Sequence, residues 1–322
     1  MNSAHFLRNA AFALLASITT LTLTTPAYAA APMVKTQAGY YRVMLGDFEI
    51  TALNDGTTPL PMDKILSGIT PDEYASDLKK FHMTNPIETS FNGFLVNTGS
   101  KLILIDTGAG NFFGPTNGKL LASLKAAGYQ PEQVDEIYIT HMHGDHIGGL
   151  TANGVAVFPN AVVRADKRDA DKWISQANLD KATADEKEGY QHAITAFQPY
   201  IAAGKFKTFD GDTELSPGIK AVSAYGHTPG HTTYLVESKG QKLLLWGDLM
   251  HVAAAQFADP SVAIHFDWNS KLAIAARKKE FAEAAKEGYL IGGAHLSFPG
   301  LGYLRAEGKG YVWVPVNYVA AP

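Results

Sequence analysis

The residues most able to carry chemistry lie in one short string, residues 140–149, which reads THMHGDHIGG. It follows the apolar segment Glu136–Thr140, a predicted strand. Imidazole nitrogens and carboxylate oxygens together suit zinc and similar divalent ions, and the glycines let the backbone bend around a common centre. The string therefore predicts a metal site where a buried strand breaks into a loop. Its candidate ligands are His141, His143, Asp145 and His146.

Four side chains on one loop cannot enclose two ions, so further ligands must come from elsewhere. Three later positions each follow an apolar segment and lie beside a glycine: His227 in GHTPGH, Asp248 in WGD and His295 in GAH. Such positions are predicted strand ends, which a fold can bring together. The second histidine of GHTPGH, His231, is interpreted as support for the site. The remaining histidines considered, interpreted as structural or surface residues, are His82, His192 and His265.

The apolar periodicity around these motifs predicts alternating strands and helices. Strands are expected over residues 40–53, 89–96, 101–106, 136–140, 156–158, 161–165, 206–209, 219–225, 232–237 and 242–246. Helices are expected over residues 71–80, 118–128 and 270–286, with a charged helical excursion over 166–203. In the first hairpin, Gly46-Asp47 is the predicted turn and Asp55-Gly56 the predicted end. Strands alternating with helices predict an α/β layered fold.

The first 29 residues are typical of a secretory signal peptide. Arg8 precedes an apolar run, Ala11–Leu23, and Ala27-Tyr28-Ala29 forms a small-x-small cleavage site. The run is interrupted by serine and threonine and is shorter than the ~20 residues that span a bilayer. We expect cleavage near Ala29 and a mature domain, residues 30–322, that is periplasmic or secreted and has no membrane span.

The composition excludes several classes of function. The formal net charge is −4, or −5 without Arg8, and it is spread without long runs, so no nucleic-acid partner is expected. The chain has no cysteine, which excludes cysteine nucleophiles, thiolate zinc sites and iron–sulfur clusters. The roughly 290 residues after the signal peptide suit one large α/β domain.

With its motifs in this order, the chain resembles the metallo-β-lactamase superfamily, an αββα sandwich with a dinuclear metal site at one sheet edge. The resemblance implies one metal held by His141, His143 and His227, a second held by Asp145, His146 and His295, and Asp248 bridging both. A closer resemblance, to methyl parathion hydrolases and related lactonases, rests on YITHMH at 138–143, GHTPGHTT at 226–233, HLSFPG at 295–300 and RAEGKGY at 305–311. It extends from about Gly39 to the C-terminus.

The implied cofactors are two divalent ions, with Zn²⁺ as the first choice and Mn, Co or Fe as alternatives in one position. Two such ions make a shared water acidic enough to supply hydroxide. We expect this bridging hydroxide to attack the carbonyl carbon of a small lactone or ester, or a phosphorus, with Asp145 and Asp248 as the catalytic carboxylates. Asp145 is the candidate for moving a proton to the leaving group. A homodimer is what the resemblance implies for assembly.

The substrate pocket is expected to have an aromatic wall. The resemblance implies Phe113, Trp173, Tyr190 and Phe197 as wall residues, and the segment after Asp248 adds His251, Ile264 and Phe266. His251 follows Asp248 by three residues, where parathion-degrading relatives carry an aliphatic residue, and this difference favours a planar carbonyl over a bulky phosphotriester. Two other interpretations stay open: the aromatics as ordinary core residues, and His251 as a residue hydrogen-bonded to a ligand.

We therefore predict hydrolysis of lactones or aryl esters, with organophosphate triester cleavage as a side activity. The alternative is an organophosphate hydrolase. Four other functions occur with the same fold. A nuclease would need a basic groove, and a diiron electron-transfer protein would need an acidic ligand in place of His143. Many β-lactamases use a cysteine ligand, which this chain lacks, and a glyoxalase-like thioesterase would act on a cytosolic substrate, which does not suit an exported protein. A non-catalytic periplasmic metal-binding protein is the rival from another class, but seven ligands for two ions leave open positions for water and substrate.

Overall fold

The computed structural model describes residue 31 and residues 33–320. The predicted signal peptide and its cleavage site lie outside the described residues. Residues 33–37 carry no helix or strand, and from Ala38 onward the described residues form one compact unit. Within the described part of the chain, no helix is both long and apolar enough to cross a membrane.

The chain alternates between strands and helices from its first described element. Up to residue 166 the elements are β1 (Tyr40–Leu45), β2 (Phe48–Leu60), α1 (Met62–Ile65), β3 (Leu66–Ser67), α2 (Pro71–Lys80), β4 (Ile87–Asn97), β5 (Leu102–Ile105), α3 (Leu120–Ala126), β6 (Glu136–Tyr138), α4 (Gly144–Ile147), β7 (Thr151–Ala152), β8 (Val155–Ala156) and β9 (Val162–Asp166). Short 3-10 turns cover Pro131–Gln133 and Gly148–Leu150.

The predicted helical excursion consists of three helices, after which strands resume. The elements are α5 (Lys167–Trp173), α6 (Gln176–Lys181), α7 (Ala184–Ala202), β10 (Phe206–Phe209), β11 (Thr213–Ser216), β12 (Ile219–Ser223), β13 (Thr232–Ser238), β14 (Gln241–Leu245), α8 (Ala253–Gln256), β15 (Ala263–Ile264), α9 (Ser270–Glu287), β16 (Leu290–Gly292), β17 (Leu301–Glu307) and β18 (Gly310–Pro315).

Among the described residues, the strands build two seven-stranded sheets. One has the order β1-β2-β4-β5-β6-β9-β10, and the other β11-β12-β13-β14-β16-β17-β18. Short two-stranded pairs, β3 with β15 and β7 with β8, lie outside them. Parallel pairing occurs where a helix or long connection crosses over, as between β5 and β6 or β14 and β16. This arrangement confirms the predicted α/β class.

Both sheets are buried on both faces. In β5, Ile103 and Ile105 join the cluster between the sheets, whereas Leu102 and Leu104 join the cluster beneath α3 and α7. In the second sheet, Leu244 turns outward to a separate cluster under α9. Because alternate side chains of a strand point to opposite faces, such all-apolar strands fit only between two layers. The layers are therefore helix, sheet, sheet and helix.

Local chemistry explains where the helices begin and end. Helix α2 starts with a capping box between Thr70 and Glu73, and Pro71 occupies its first turn. Helix α9 starts at Asn269, whose side chain accepts from the Leu272 amide, and ends at Gly288 in the left-handed conformation. These helices match their predicted ranges within about two residues.

Two predictions about strands are wrong. Asp55-Gly56 does not end the first hairpin, because β2 continues to Leu60 through a bulge at which Gly56 has φ 147°. The strand expected over residues 156–158 is only Val155–Ala156, since Phe158 leaves the strand to enter the core. Strands β3, β7, β11, β15, β17 and β18 do not correspond to any predicted strand.

Candidate metal centre and cavity

The candidate ligands follow strand ends at one edge of the two sheets. Residues 141–146 follow β6, and α4 begins among them at Gly144. His227 lies in the connection from β12 to β13, Asp248 follows β14, and His295 follows β16. Since neighbouring strands end at the same sheet edge, side chains far apart in sequence converge there.

The structure brings all seven predicted ligands together in two sets. The first contains His141, His143, His227 and Asp248, and the second contains Asp145, His146, Asp248 and His295. Within each set, one ligand atom from every residue lies within 4.8 Å of the others. The shared residue divides its oxygens between the sets. Asp248 Oδ1 lies 3.0 Å from both His146 Nε2 and His295 Nε2, and Oδ2 lies 3.2 Å from His227 Nε2.

The polar atoms at the centre have the character of metal ligands. His141 Nε2, His146 Nε2, His295 Nε2 and Asp248 Oδ1 are buried and approach one another, but among the described residues none of them has a partner at hydrogen-bonding angles. Each such atom costs roughly 1–3 kcal/mol if it stays unpaired, so four converging ones call for a ligand. Imidazole nitrogen with carboxylate oxygen is the donor set of zinc and related ions. The residues therefore fit two divalent metal ions.

Protonation in the first set also favours metal binding. Burial lowers the pKa of His141 and of His143 well below the ordinary value, so both rings are neutral and can donate a lone pair. Burial also opposes the charged form of His227, but Asp248 and Asp267 outweigh it and raise its pKa to about 9. Carboxylates surrounding this ring thus favour positive charge, which a bound cation would supply.

Hydrogen bonds fix how the ligand rings face. His146 Nδ1 lies 2.8 Å from Asp106 Oδ2, and His227 Nδ1 lies 3.0 Å from Asp267 Oδ1. His295 Nδ1 lies 3.0 Å from the carbonyl oxygen of Ser90. Each contact places the N–H on Nδ1 and leaves Nε2 free to bind metal. Sequence reasoning missed both carboxylates. Asp106 had a signal, an acidic residue at the end of an apolar strand, whereas Asp267 had none.

One further buried carboxylate joins the two histidine loops. Asp169, on α5, accepts hydrogen bonds from the Met142 amide at 3.0 Å and the Thr228 hydroxyl at 2.8 Å through Oδ2. Its Oδ1 accepts from the Gly230 amide at 2.6 Å. Burial raises the pKa of Asp169 to about 6, although these three donors oppose the rise. Helix α5 of the helical excursion therefore connects the loop after β6 to the loop between β12 and β13.

The histidines outside the ligand sets take different positions. His231 is fully buried: its Nε2 accepts from the Asp248 amide at 3.0 Å and its Nδ1 donates to the Ala224 carbonyl at 3.1 Å. This agrees with its predicted supporting role. His82 and His265 are exposed, also as predicted.

A cavity of about 520 Å³ opens onto both ligand sets. Its wall includes the ligands His143, Asp145, Asp248 and His295. Its apolar lining is Leu60, Phe91, Phe112, Phe113 and Phe266. A cavity of this size and lining suits a small organic molecule.

The predicted wall residues divide into two groups. Phe113, His251 and Phe266 line the cavity. Trp173 and Tyr190 do not: they pack on each other with ring centroids 5.0 Å apart, and Trp173 meets the ring of His143, a ligand, edge-on at 5.4 Å. Trp173 therefore supports a ligand from inside the core.

The structure corrects the prediction for two more wall residues. Phe197 is fully buried and packs against Phe206, in the core between α7 and the first sheet. Ile264 is fully buried in the cluster under α2 and α8. Conversely, His192 lines the cavity and stacks on Phe112 with ring centroids 3.8 Å apart, so its interpretation as a structural or surface residue is incomplete.

Comparisons with known proteins place the chain in a family. The metallo-beta-lactamase superfamily model matches residues 90–285, which is more than half of the chain. The crystal structure of the hydrolase AbOPH in the beta lactamase superfamily is similar with a TM-score of 0.84 and 40% identity, covering 89% of this chain and 100% of that one. The chain belongs to the metallo-β-lactamase superfamily and is a hydrolase of that superfamily.

Two lactonases are among the similar proteins. AidC, a dizinc quorum-quenching lactonase determined in complex with its product N-hexanoyl-L-homoserine, has a TM-score of 0.79 at 30% identity, covering 88% of this chain and 99% of that one. An N-acyl homoserine lactonase from Bacillus sp is 30% identical over 167 residues, which are 45% of this chain and 58% of that relative. The latter match thus spans less than two thirds of the relative's length.

Proposed function

We propose that this chain is a dizinc hydrolase that opens lactones, N-acyl homoserine lactones among them, and cleaves aryl esters. The observation that carries the proposal is the pair of ligand sets sharing Asp248 and facing an aromatic-lined cavity of about 520 Å³. The likeness to AidC, a dizinc lactonase seen with a lactone product, supports both the metal and the substrate class.

Two divalent ions, when bound, make a shared water acidic and polarise the oxygen of the bond under attack. The chain's own residues prepare the site for this chemistry. The Nδ1 contacts of the ligand histidines fix their rings, and the cavity's phenylalanines supply an apolar surface beside the ligands. Asp145 lines the cavity with its side chain 14% exposed. Its carboxylate is the group proposed to carry a proton to the leaving-group oxygen.

We assign to His251 the preference for substrates with a planar carbonyl group. Burial lowers the pKa of this histidine to about 4, so its ring is neutral near pH 7. Its Nε2 lies 3.0 Å from Asp248 Oδ2, and its ring stacks on His295 with centroids 5.1 Å apart. His251 therefore contacts the candidate metal ligand Asp248 and also faces the cavity, where its neutral ring can orient a planar ester group.

Cleavage of organophosphate triesters is proposed as a side activity. The observation that favours it is the phenylalanine lining, including Phe91 and Phe113, which suits an aryl leaving group. His251 lines the same cavity and is proposed to favour a planar carbonyl, so this activity is ranked second.

The test compares zinc-loaded protein on dihydrocoumarin, N-hexanoyl homoserine lactone and methyl parathion, each with and without chelator. We expect turnover of the lactones that disappears with chelator and returns with zinc. His251→Leu should shift the lactone-to-phosphotriester ratio toward the phosphotriester, whereas His265→Leu, at an exposed position outside the cavity, should not. Faster turnover of methyl parathion than of either lactone would make the second candidate the main activity. No turnover of any substrate would refute the hydrolase proposal for these substrates.

A further inference from the structure

One helix supplies the charged part of the cavity wall. Asp185, Glu188, Gly189 and His192 line the cavity, and their spacing places them on one face of α7. Asp185 is exposed, and the side chain of Glu188 is 77% exposed. Asp185 lies in the first turn of α7, where free backbone amides favour a negative charge. Two exposed carboxylates outside the ligand sets therefore border the cavity.

Among the described residues, no lysine or arginine forms an ion pair with Asp185 or Glu188. The cavity lining contains four carboxylates and no ammonium or guanidinium group. Two of the four, Asp145 and Asp248, belong to the ligand sets, where bound metal would balance them. Glu188 Oε1 lies 3.8 Å from His192 Nε2. Burial lowers the pKa of His192, so its ring is neutral near pH 7.

We propose that Asp185 and Glu188 form a charge filter that disfavours anionic substrates and promotes the release of anionic products. The inference rests on the proposed function. Hydrolysis of a lactone or ester adds one water to a neutral molecule and gives an alcohol and a carboxylic acid, which loses its proton near pH 7. Substrate and product thus differ by one negative charge, and that charge is repelled by the filter.

The expected size of the effect is modest because both carboxylates are exposed. Salt screens the repulsion between these carboxylates and an anion, because the Debye length is only ~10 Å at 0.1 M. Two exposed charges near the path of an anion then give about threefold to tenfold discrimination at low salt, and less at high salt.

The first experiment uses a matched pair of esters, neutral 4-nitrophenyl acetate and the anionic 4-nitrophenyl monoester of succinate. We expect the ratio of kcat/KM for the anionic over the neutral ester to rise about threefold to tenfold in Asp185→Asn/Glu188→Gln at low salt. High salt should raise the ratio in the unaltered protein but much less in the double variant. Asp180→Asn, which removes an exposed carboxylate on α6 outside the cavity, should leave the ratio unchanged.

The second experiment needs no turnover and therefore separates this inference from the proposed function. Calorimetry measures binding of the carboxylate N-hexanoyl-L-homoserine to the zinc-loaded protein. The double variant should bind it about threefold to tenfold more tightly than the unaltered protein at low salt. Equal binding, or an ester ratio that neither the variant nor salt changes, would overturn the charge filter. Absence of ester and lactone turnover together with tighter binding by the double variant would refute the proposed function and leave the filter supported.

Discussion

Replacing Asp169 with asparagine should disturb the metal centre from a position outside the ligand sets. The side chain keeps its size but loses one of its two acceptor oxygens. The Gly230 amide donates to Oδ1 at 2.6 Å, the shortest of the three contacts, so we expect the amide oxygen of asparagine to take that place. The new NH₂ group then faces the Met142 amide and the Thr228 hydroxyl, at the former position of Oδ2. The hydroxyl can rotate and accept, but the Met142 N–H is left without an acceptor.

The size of the effect follows from that one buried donor. An unsatisfied buried N–H costs roughly 1–3 kcal/mol. Because Met142 stands between His141 and His143, relaxation of its amide displaces two candidate ligands. Loss of such a supporting contact typically weakens metal binding by about 10-fold to 100-fold. We therefore expect a loss of about 1–3 kcal/mol in unfolding free energy without metal and a zinc affinity reduced by one to two powers of ten.

The assays are chemical denaturation of the metal-free protein and zinc affinity by chelator competition. Asp171→Asn is the matched control, since Asp171 is on the same helix with a side chain 63% exposed. Its replacement should change unfolding free energy by less than about 0.5 kcal/mol and leave zinc affinity unaltered. If Asp169→Asn matched the unaltered protein in both assays, the reasoning about the loop contacts would be refuted.

Three further changes test other parts of the structure. Glu280, on α9, is 4% exposed, and burial raises its pKa from 4.5 to about 6. Between these two values the folded state keeps a proton that the unfolded chain loses, so stability falls as pH rises through that window. Glu280→Gln should therefore raise unfolding free energy above pH 6 by about 2 kcal/mol and change it little at pH 4 in denaturation series. Phe197→Ala should cost about 3–5 kcal/mol of unfolding free energy, measured the same way, without raising the KM for a lactone in the folded protein, because Phe197 does not line the cavity. Gly144→Ala would place a Cβ 2.9 Å from His192 Nδ1 and 3.2 Å from Phe113 Cε2, so lactone kcat/KM should fall several-fold, and adding His192→Ala should recover part of it.

The strands that sequence predicted well are those with a local signal. Segments such as Leu102–Ile105 are apolar on both faces and bounded by turn residues, so their type and extent follow from composition. Asp55-Gly56 has the composition of a turn but serves another purpose. The Asp55 carboxylate accepts hydrogen bonds from the amides of Ala109, Gly118 and Leu120, contacts over more than fifty residues that no local pattern shows. Tertiary contacts thus turn a predicted strand end into a bulge.

The same distinction separates the ligands from the cavity wall. Each ligand belongs to a short motif at a strand end, and strand ends meet at one sheet edge whatever the details of packing. A wall residue is defined only by which face of a helix turns toward the cavity. Phe197 and His192 are both on α7, yet the phenylalanine enters the core and the histidine lines the cavity. An aromatic ring is equally compatible with core and wall, so its type alone could not decide between them.

The charges around the ligand sets couple metal binding to the protonation of the centre. Among the described residues, the carboxylates that belong to the sets or contact their rings are Asp106, Asp145, Asp248 and Asp267. Their four negative charges equal the charge of two divalent ions, so the centre is electrically balanced only when both are bound. Without metal, burial disfavours charge on His146, yet Asp248 and the neighbouring carboxylates still raise its pKa well above the ordinary value, so protons replace part of the missing charge. Zinc binding should therefore release at least one proton near pH 7, which calorimetry in two buffers of different ionisation enthalpy would count. Release of no proton would show that the metal-free centre keeps its carboxylates uncompensated, contrary to this charge balance.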